Sequence, residues 1–270
     1  MDGESWPGIT IERYPSETED NKAICVYHKI GNPDEVCWFF AISVGEGSSE
    51  EDFRNFMKTT FKNKFIDTLL GCGCSFLCLS GPENHYSIFL QVFSDLTDKR
   101  FQGWGEYELH HPPAQLLTKR ITLPPGYRHG GLGEAHVQFL GRQWIKDLDV
   151  TPSSLDHKEQ FRSLVRDNIL KRPSVAIFND QGKDPVAWMT TYQDGYGGQL
   201  HVDDAHRGRG LARLCVRELF KKTHSLTGSG YPVSIGMENE ASRGLFTSEG
   251  WSKTCVTRKH YLHLGNSWSP

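Results

Sequence analysis

No stretch of this 270-residue chain approaches the roughly 20 apolar residues that a helix needs to cross a bilayer. The opening "MDGESWPGITIERYPSETED" is acidic and polar. It has neither the apolar core of a secretory signal nor the arginine-rich, acid-poor composition of a transit peptide. An excess of one charge is also missing: 30 Lys and Arg against 33 Asp and Glu leave a net charge of −3. That balance argues against bulk nucleic-acid binding and leaves room for one local basic pocket. The expectation is an intracellular protein, cytoplasmic or mitochondrial, with neither nucleic acid nor membrane among its partners. Seven cysteines, Cys25, Cys37, Cys72, Cys74, Cys78, Cys215 and Cys255, are an odd number without scaffold spacing, which points to reduced thiols. The cluster "GCGCSFLC" falls short of a zinc site, because closed sites take four ligands at paired spacings and His85 follows no such pattern. No metal is expected, and no internal repeat is present.

What is there reads as two domains, the prior for this length. In the first half, "AICVYHKI" and "VCWFFAISV" flank the turn "GNPDE" and predict a strand pair. "SSEEDFRNFMKTTFKNKFIDTLL" predicts a helix, with Phe53, Phe56, Met57 and Phe61 at helical spacing. "CSFLCLS" and "YSIFLQVF" read as further strands. Two Pro-Pro pairs and several glycines in "HHPPAQLLTKRITLPPGYRHGGLGEA" mark a boundary near residue 125. The second half then runs helix (132–144), helix ("TPSSLDHKEQFRSLVRDNILKR"), three strands ("SVAIF", "PVAWMTTY", "GQLHV"), helix ("GLARLCVRELFKK"), strand ("PVSIGM"), helix ("NEASRGLFTSEG") and strand. That order predicts a mixed α/β sheet flanked by helices.

The stretch "VDDAHRGRGLARLCVRELF" puts Arg207, Gly208, Arg209 and Gly210 between a strand and a patterned helix. A helix N-terminus carries unpaired N–H groups and partial positive charge, and glycines let an anion approach it. The two arginines add donors suited to phosphate, so a diphosphate is the natural guest. The competing reading is a glycine-relaxed turn with solvated arginines. A P-loop is excluded because no Gly-Lys-Ser/Thr follows, and the early strand and distant acid of a dinucleotide fingerprint are missing.

"RGRGLA" resembles the Arg-x-x-Gly-x-Gly/Ala signature of the GNAT acyltransferases, and "NEASRGLFTSEGW" is similar to their later Asn-x-x-Ala motif. More narrowly, "LGEAHVQFLGRQW", "SVAIFNDQGKDPVAWMTTYQDGYG" and "GYPVSIGMENEASRG" look like the glycine N-acyltransferase-like family. The likeness covers residues 120–262 and fades over residues 1–120 to "VYHKIGNP". The resemblance implies two GNAT-like domains, 1–122 and 123–270, with a mixed, mostly antiparallel sheet flanked by helices and a degenerate N-terminal copy. It also implies acyl-CoA as cosubstrate, held by Leu200, Val202, Arg207, Gly208, Arg209, Gly210, Leu211, Ala212 and Asn239. The acceptor it implies is glycine or another small amine.

Acyl transfer from a thioester to an amine needs a neutral amine and a polarised carbonyl. The backbone N–H of Val202 would polarise that carbonyl if its strand splays as in this superfamily. Where the glycine N-acyltransferases carry a glutamate base, this chain has Tyr196, and a tyrosine with its ordinary pKa near 10 is a poor base at neutral pH. By strict strand alternation Asp194 shares the face of Tyr196 and His201 takes the other. Asp194 acting through water is therefore the favoured base, with His201 as the competitor; a solvated turn acid and a sheet-surface histidine are the plainer readings of both. Phe246 stands where many GNAT enzymes place a tyrosine that protonates the leaving thiol, and reads as a core residue here.

Arg213, Arg217 and Lys221 form a stripe read as a solvated face, with a role toward the adenosine phosphate as the competing view. Arg128, Arg243 and Arg258 are candidate partners for an acceptor carboxylate. The other functional readings are an N-acetyltransferase for an arylalkylamine, polyamine or other amino acid, and a non-catalytic acyl-CoA binder. Nothing in the sequence sets an oligomeric state.

Overall fold

Runs rich in β-branched and aromatic residues become strands here where successive residues are buried on both faces of a sheet, as in "SVAIF" and "AWMTT"; where the buried residues recur at three and four, the same composition coils into helix. The structure, a computed structural model, describes residues 9–15, 22–30, 37–44, 49–59, 62, 76–97, 102–120, 122–147, 155–192 and 195–263. The chain divides into two compact units. The first comprises Met1–Leu109, Gly236–Glu238 and Cys255–Pro270, the second His110–Ile235 and Asn239–Thr254.

In the first unit the strands lie in the order β1 (Ile9–Pro15), β2 (Lys22–Ile30), β3 (Cys37–Val44), β4 (Phe76–Pro82), β11 (Ser252–His263) and β5 (Gln102–His111). The expected pair β2 and β3 is antiparallel, with Val26 opposite Ala41, whereas β3 and β4 run parallel. Helix α1 (Glu50–Phe56) buries Phe53, and Met57 is buried just beyond it. One expectation fails: "YSIFLQVF" lies inside a second helix, α2 (Glu83–Thr97). Its buried residues are Ile88, Phe89, Val92 and Phe93. That is a helical face, and aromatic content had masked its period.

The second unit is a sheet in the order β10 (Val233–Gly236), β9 (Gly197–Val202), β8 (Ala187–Thr191), β7 (Ser174–Asn179) and β6 (Tyr127–Gly130). All its neighbouring pairs are antiparallel except β9 with β10. The short strand β6 was not legible in the sequence. Against one face lies α5 (Leu211–Thr227), which buries Leu211, Leu214, Cys215, Val216, Leu219 and Phe220 among Val175, Ile177, Met189, Val233 and Ile235. Against the other lie α3 (Val137–Asp147) and α4 (Leu155–Leu170), which bring Val137, Leu140, Val165 and Ile169 onto Ala176, Phe178 and Trp188. Burying each such side chain is worth about 1.5–3 kcal/mol, so the two apolar faces hold the sheet as the middle layer. A last helix, α6 (Glu240–Ser248), precedes β11. Phe246 is 3% exposed and packs edge-on to Trp251, as its reading as core requires. Among the described residues no helix is long and apolar enough to cross a membrane, and no three His, Cys, Asp or Glu side chains group as metal ligands would. Cys72 and Cys74 lie outside the described residues.

Two adjacent glycines begin β9 because rings occupy the space on both sides. A Cβ added to Gly197 would collide with the ring of Tyr231, and one added to Gly198 with the ring of Tyr192. Both rings are wedged, Tyr231 against Trp251 and Phe220 and Tyr192 against Trp144, so neither can swing clear. Gly198→Ala should therefore lower stability by about 1–3 kcal/mol, read as a fall in the urea midpoint with unchanged slope. An unchanged midpoint would show that Tyr192 yields freely.

Candidate functional site

The site is built around the way β9 ends. Between β8 and β9, Trp188 pairs with His201 and Thr190 with Gly198, so Gln199 and Leu200 together oppose the single residue Met189. This is a β-bulge, and Gln199 takes the φ of +52° that it demands, the one positive φ at a non-glycine among the described residues. The bulge corrects the sequence-based alternation. Gly198 and His201 come to lie on one face of the sheet, the face of α3 and α4, and Leu200 and Val202 on the α5 face. Strict alternation counted from Gly198 would put His201 on the opposite face, so it does not carry across the bulge.

On its other edge β9 meets β10 at one registered pair only, Gly197 with Val233, reinforced by Gly197 N–H donating to Pro232 O at 2.9 Å. Residues 198–202 then continue on β8 alone. Asp203 N–H donates to Val186 O at 2.9 Å, so alternation turns the N–H groups of Val202 and Leu200 to the opposite edge, toward the gap left by β10.

Past Val202 the chain turns through Asp204–His206, where His206 N–H donates to Asp203 O at 2.8 Å, and reaches the exposed Arg207–Gly210. Gly208 and Gly210 have φ of +74° and +78°, and no atom lies within 4 Å of a Cβ built on either. The left-handed backbone requires glycine here, and the space above it is open. Gly210 is the N-cap of α5 and supplies no side-chain cap, so the N–H groups of the first turn have no intrahelical acceptor. Arg207 lies back along the turn, its Nη2 2.9 Å from Asp204 Oδ1 and its Nε donating to Val202 O at 3.3 Å. Arg209 stands over the Tyr127 ring at 5.9 Å, and Tyr127 Oη is 2.8 Å from His206 Nδ1. Tyr127 thus anchors the loop from β6, 79 residues away in sequence; no local signal could have revealed it.

His201 is stacked on Trp188 at 4.4 Å, and its Nε2 lies 3.2 Å from Asp203 Oδ1. Tyr196 accepts a hydrogen bond at its carbonyl from Tyr192 N–H at 2.7 Å. Asp194 lies outside the described residues. Asn239 caps α6, its Oδ1 accepting from Ser242 N–H at 3.0 Å. Arg128 is occupied at Gly182 O and over Phe178, Arg243 lies beside Glu240, and the side chain of Arg258 lies outside the described residues.

The basic stripe of α5 is not simply a solvated face. Arg213 Nε is 2.7 Å from Glu249 Oε1, and Arg217 holds both carboxylate oxygens, Nη2 to Oε1 at 2.9 Å and Nε to Oε2 at 2.7 Å. Lys119 Nζ adds Glu249 Oε2 at 3.3 Å and Glu249 O at 2.9 Å. The Glu249 side chain is only 2% exposed. Burial pushes its pKa up, but the hydrogen bonds and charges of Arg217 and Lys119 outweigh that and hold it below the usual carboxylate range. This grip fixes the N-terminal half of α5 to the turn after α6.

Residues 174–261, about a third of the chain, match the family described as FR47-like protein. The chain is also similar over most of its length to solved structures. One is a Drosophila protein solved as a structural-genomics target, at 13% identity and a TM-score of 0.65, over 91% of this chain and 75% of that one. Another is a GCN5-related N-acetyltransferase from Sphaerobacter thermophilus, at 11% identity and 0.52, over 93% and 82%. A third is a GCN5-related N-acetyltransferase from Kribbella flavida, at 11% and 0.51, over 90% and 87%. The fold is that of the GCN5-related N-acetyltransferases. No curated protein is similar enough to this chain to count as a match.

Because the folded pKa of Glu249 is depressed, its contribution to stability is present above its unfolded value, near 4.3, and is lost as pH falls through the folded one. Glu249→Gln should cost about 1–3 kcal/mol at pH 7, discounted for the exposure of Arg213 and Lys119. The parent's advantage over the variant should shrink as pH drops below about 4. Urea midpoints for both proteins between pH 3 and 7 measure this; parallel curves would show that the carboxylate does not carry the contact.

Proposed function

We propose that the chain is an acyl-CoA-dependent N-acyltransferase that acylates the amino group of a small acceptor. The observation that carries the reading is the parting of β9 from β10 beside an open, uncapped, glycine-lined helix start. The strand gap offers N–H donors to a thioester carbonyl and the helix start offers N–H donors to a diphosphate. Arg207, Gly208, Arg209, Gly210, Leu211 and Ala212 hold the diphosphate of coenzyme A, and Leu200 and Val202 line the arm that carries the acyl group. Asn239, as the cap of α6, borders the coenzyme.

The amine nitrogen attacks the thioester carbonyl carbon and forms a tetrahedral intermediate whose oxyanion the Val202 N–H stabilises. The carbon–sulfur bond then breaks, releasing the thiol and the N-acyl amine. We assign the amine's proton to the imidazole of His201, its ring fixed by Trp188 and Asp203. Asp194 through water, and Tyr196, are the competing acceptors of that proton. The motif likeness supports glycine as acceptor; an arylalkylamine, a polyamine or another amino acid is the nearer variant, and a binder without turnover the farther one. Residues 1–122 are read as the degenerate copy, with no catalytic group.

Release of free thiol from acetyl-, hexanoyl- and benzoyl-CoA against a panel of amines separates these readings, and turnover with at least one pair is expected. Gly210→Glu should abolish acyl-CoA binding in calorimetry while the protein stays folded; unchanged affinity would overturn the site. His201→Gln should lower kcat/KM near pH 7 by about 10–100-fold, and the deficit should narrow toward pH 10, where the amine is already neutral. A variant profile that superimposes on the parent's from pH 6 to 10 would return the proton to Asp194, Tyr196 or water.

A further inference from the structure

The face of the second-unit sheet opposite α5 carries a polar row that the apolar packing does not absorb. Register places Ser174 beside Thr190 and Thr190 beside Gly198. In β10, Ser234 follows the last pair with β9 and points away from Val233 and Ile235, whose side chains enter the α5 core. The row therefore runs across four strands to the point where β9 and β10 part. Gln199, turned out of the ladder by the bulge, joins it: its Oε1 accepts from Thr190 Oγ1 at 3.0 Å.

Two polar atoms in this row are buried with no hydrogen-bond partner within the protein, Gln199 Nε2 and Ser234 Oγ. Asn168, 2% exposed on α4, adds an unpartnered Oδ1 on the same face. A buried orphan donor or acceptor costs about 1–3 kcal/mol, so each of these atoms calls for a partner from outside the chain. Gln199 also holds a left-handed backbone that a residue with a Cβ adopts at a cost. The next row toward the end of β9 is His201 on Trp188. The row borders the point where β9 and β10 part, just after Gly197 and Val233.

We infer that Gln199 and Ser234 bind an uncharged hydrogen-bonding group of the acceptor, an amide or a hydroxyl next to its amine, and so set acceptor specificity. This rests on the acyltransferase reading and departs from glycine, the acceptor the motif likeness supports, in favour of a small amine with an uncharged polar neighbour. Both groups offer hydrogen bonds and no charge, and a carboxylate buried against them without a cation would keep most of its desolvation cost. Glycinamide and ethanolamine are thus the matched acceptors, and glycine and ethylamine the mismatched ones.

The test uses the full chain with Gln199→Asn, which tolerates the positive φ but falls short in reach, and Ser234→Ala. In the parent, kcat/KM for glycinamide should exceed that for glycine. In each variant the glycinamide to ethylamine ratio of kcat/KM should fall roughly 5–10-fold, the effect of one hydrogen bond, and the change should appear in KM for the acceptor more than in kcat. Calorimetric titration of glycinamide into the protein saturated with coenzyme A should show the same weakening without any turnover. A parent that prefers glycine overturns the uncharged assignment. Ratios and affinities that match the parent's in both variants overturn the site. A parent that acylates no amine contradicts the acyltransferase reading instead, and the titration then decides the role of Gln199 and Ser234 by itself.

Discussion

The separation of β9 from β10 after Gly197 is the constraint on which the other features of the second unit depend. While two strands stay paired, each N–H on the shared edge is spent on its neighbour's carbonyl. Here the pairing stops after one registered pair, and the N–H groups of Leu200 and Val202 are turned toward the gap. The bulge at Gln199 lets β9 bend away from β10 without losing β8, since Trp188 still pairs with His201 and Ala187 with Val202. Behind the fork, Gly197 and Gly198 admit Tyr231 and Tyr192 so closely that the strand cannot slide back into a flat ladder.

The charged residues of α5 divide by job according to where its axis points. Arg207 and Arg209, at the open end, remain exposed and are held only by Asp204, Val202 O and the Tyr127 ring. One and two turns later, Arg213 and Arg217 are committed to Glu249, together with Lys119. The buried carboxylate draws part of the helix's positive charge into the framework, while the glycine-lined start of the helix stays exposed. The same contrast separates the two faces of the sheet. The α5 face is packed with apolar side chains to its edge, while the α3 and α4 face changes from aromatic to polar where the strands part.

Local pattern carried much of this into the sequence. The inward stripe Leu211, Leu214, Cys215 and Leu219 and the paired glycines at 208 and 210 were legible because helix period and left-handed turns leave marks within a few residues. What stayed hidden is set by partners far along the chain. Glu249 reads as an ordinary surface acid until Lys119, Arg213 and Arg217 close on it, and Tyr127 carries no signal until His206 and Arg209 meet it. A bulge leaves no sequence mark either, so strict alternation along β9 does not give the face of His201. In α2, hydrophobic residues adjacent in pairs satisfied a strand reading until burial showed the helical period.

Backbone amide exchange of the full chain, with and without acetyl-CoA, tests the central claim most directly, because the account assigns recognition to main-chain N–H groups. Slower exchange is predicted at Leu200, Val202 and the first turn of α5 from Leu211 to Arg213, with little change at the far end of that helix. Slowing confined to other segments, or none at saturating acetyl-CoA, would contradict the assignment of the strand gap and the helix start to the acyl-CoA site.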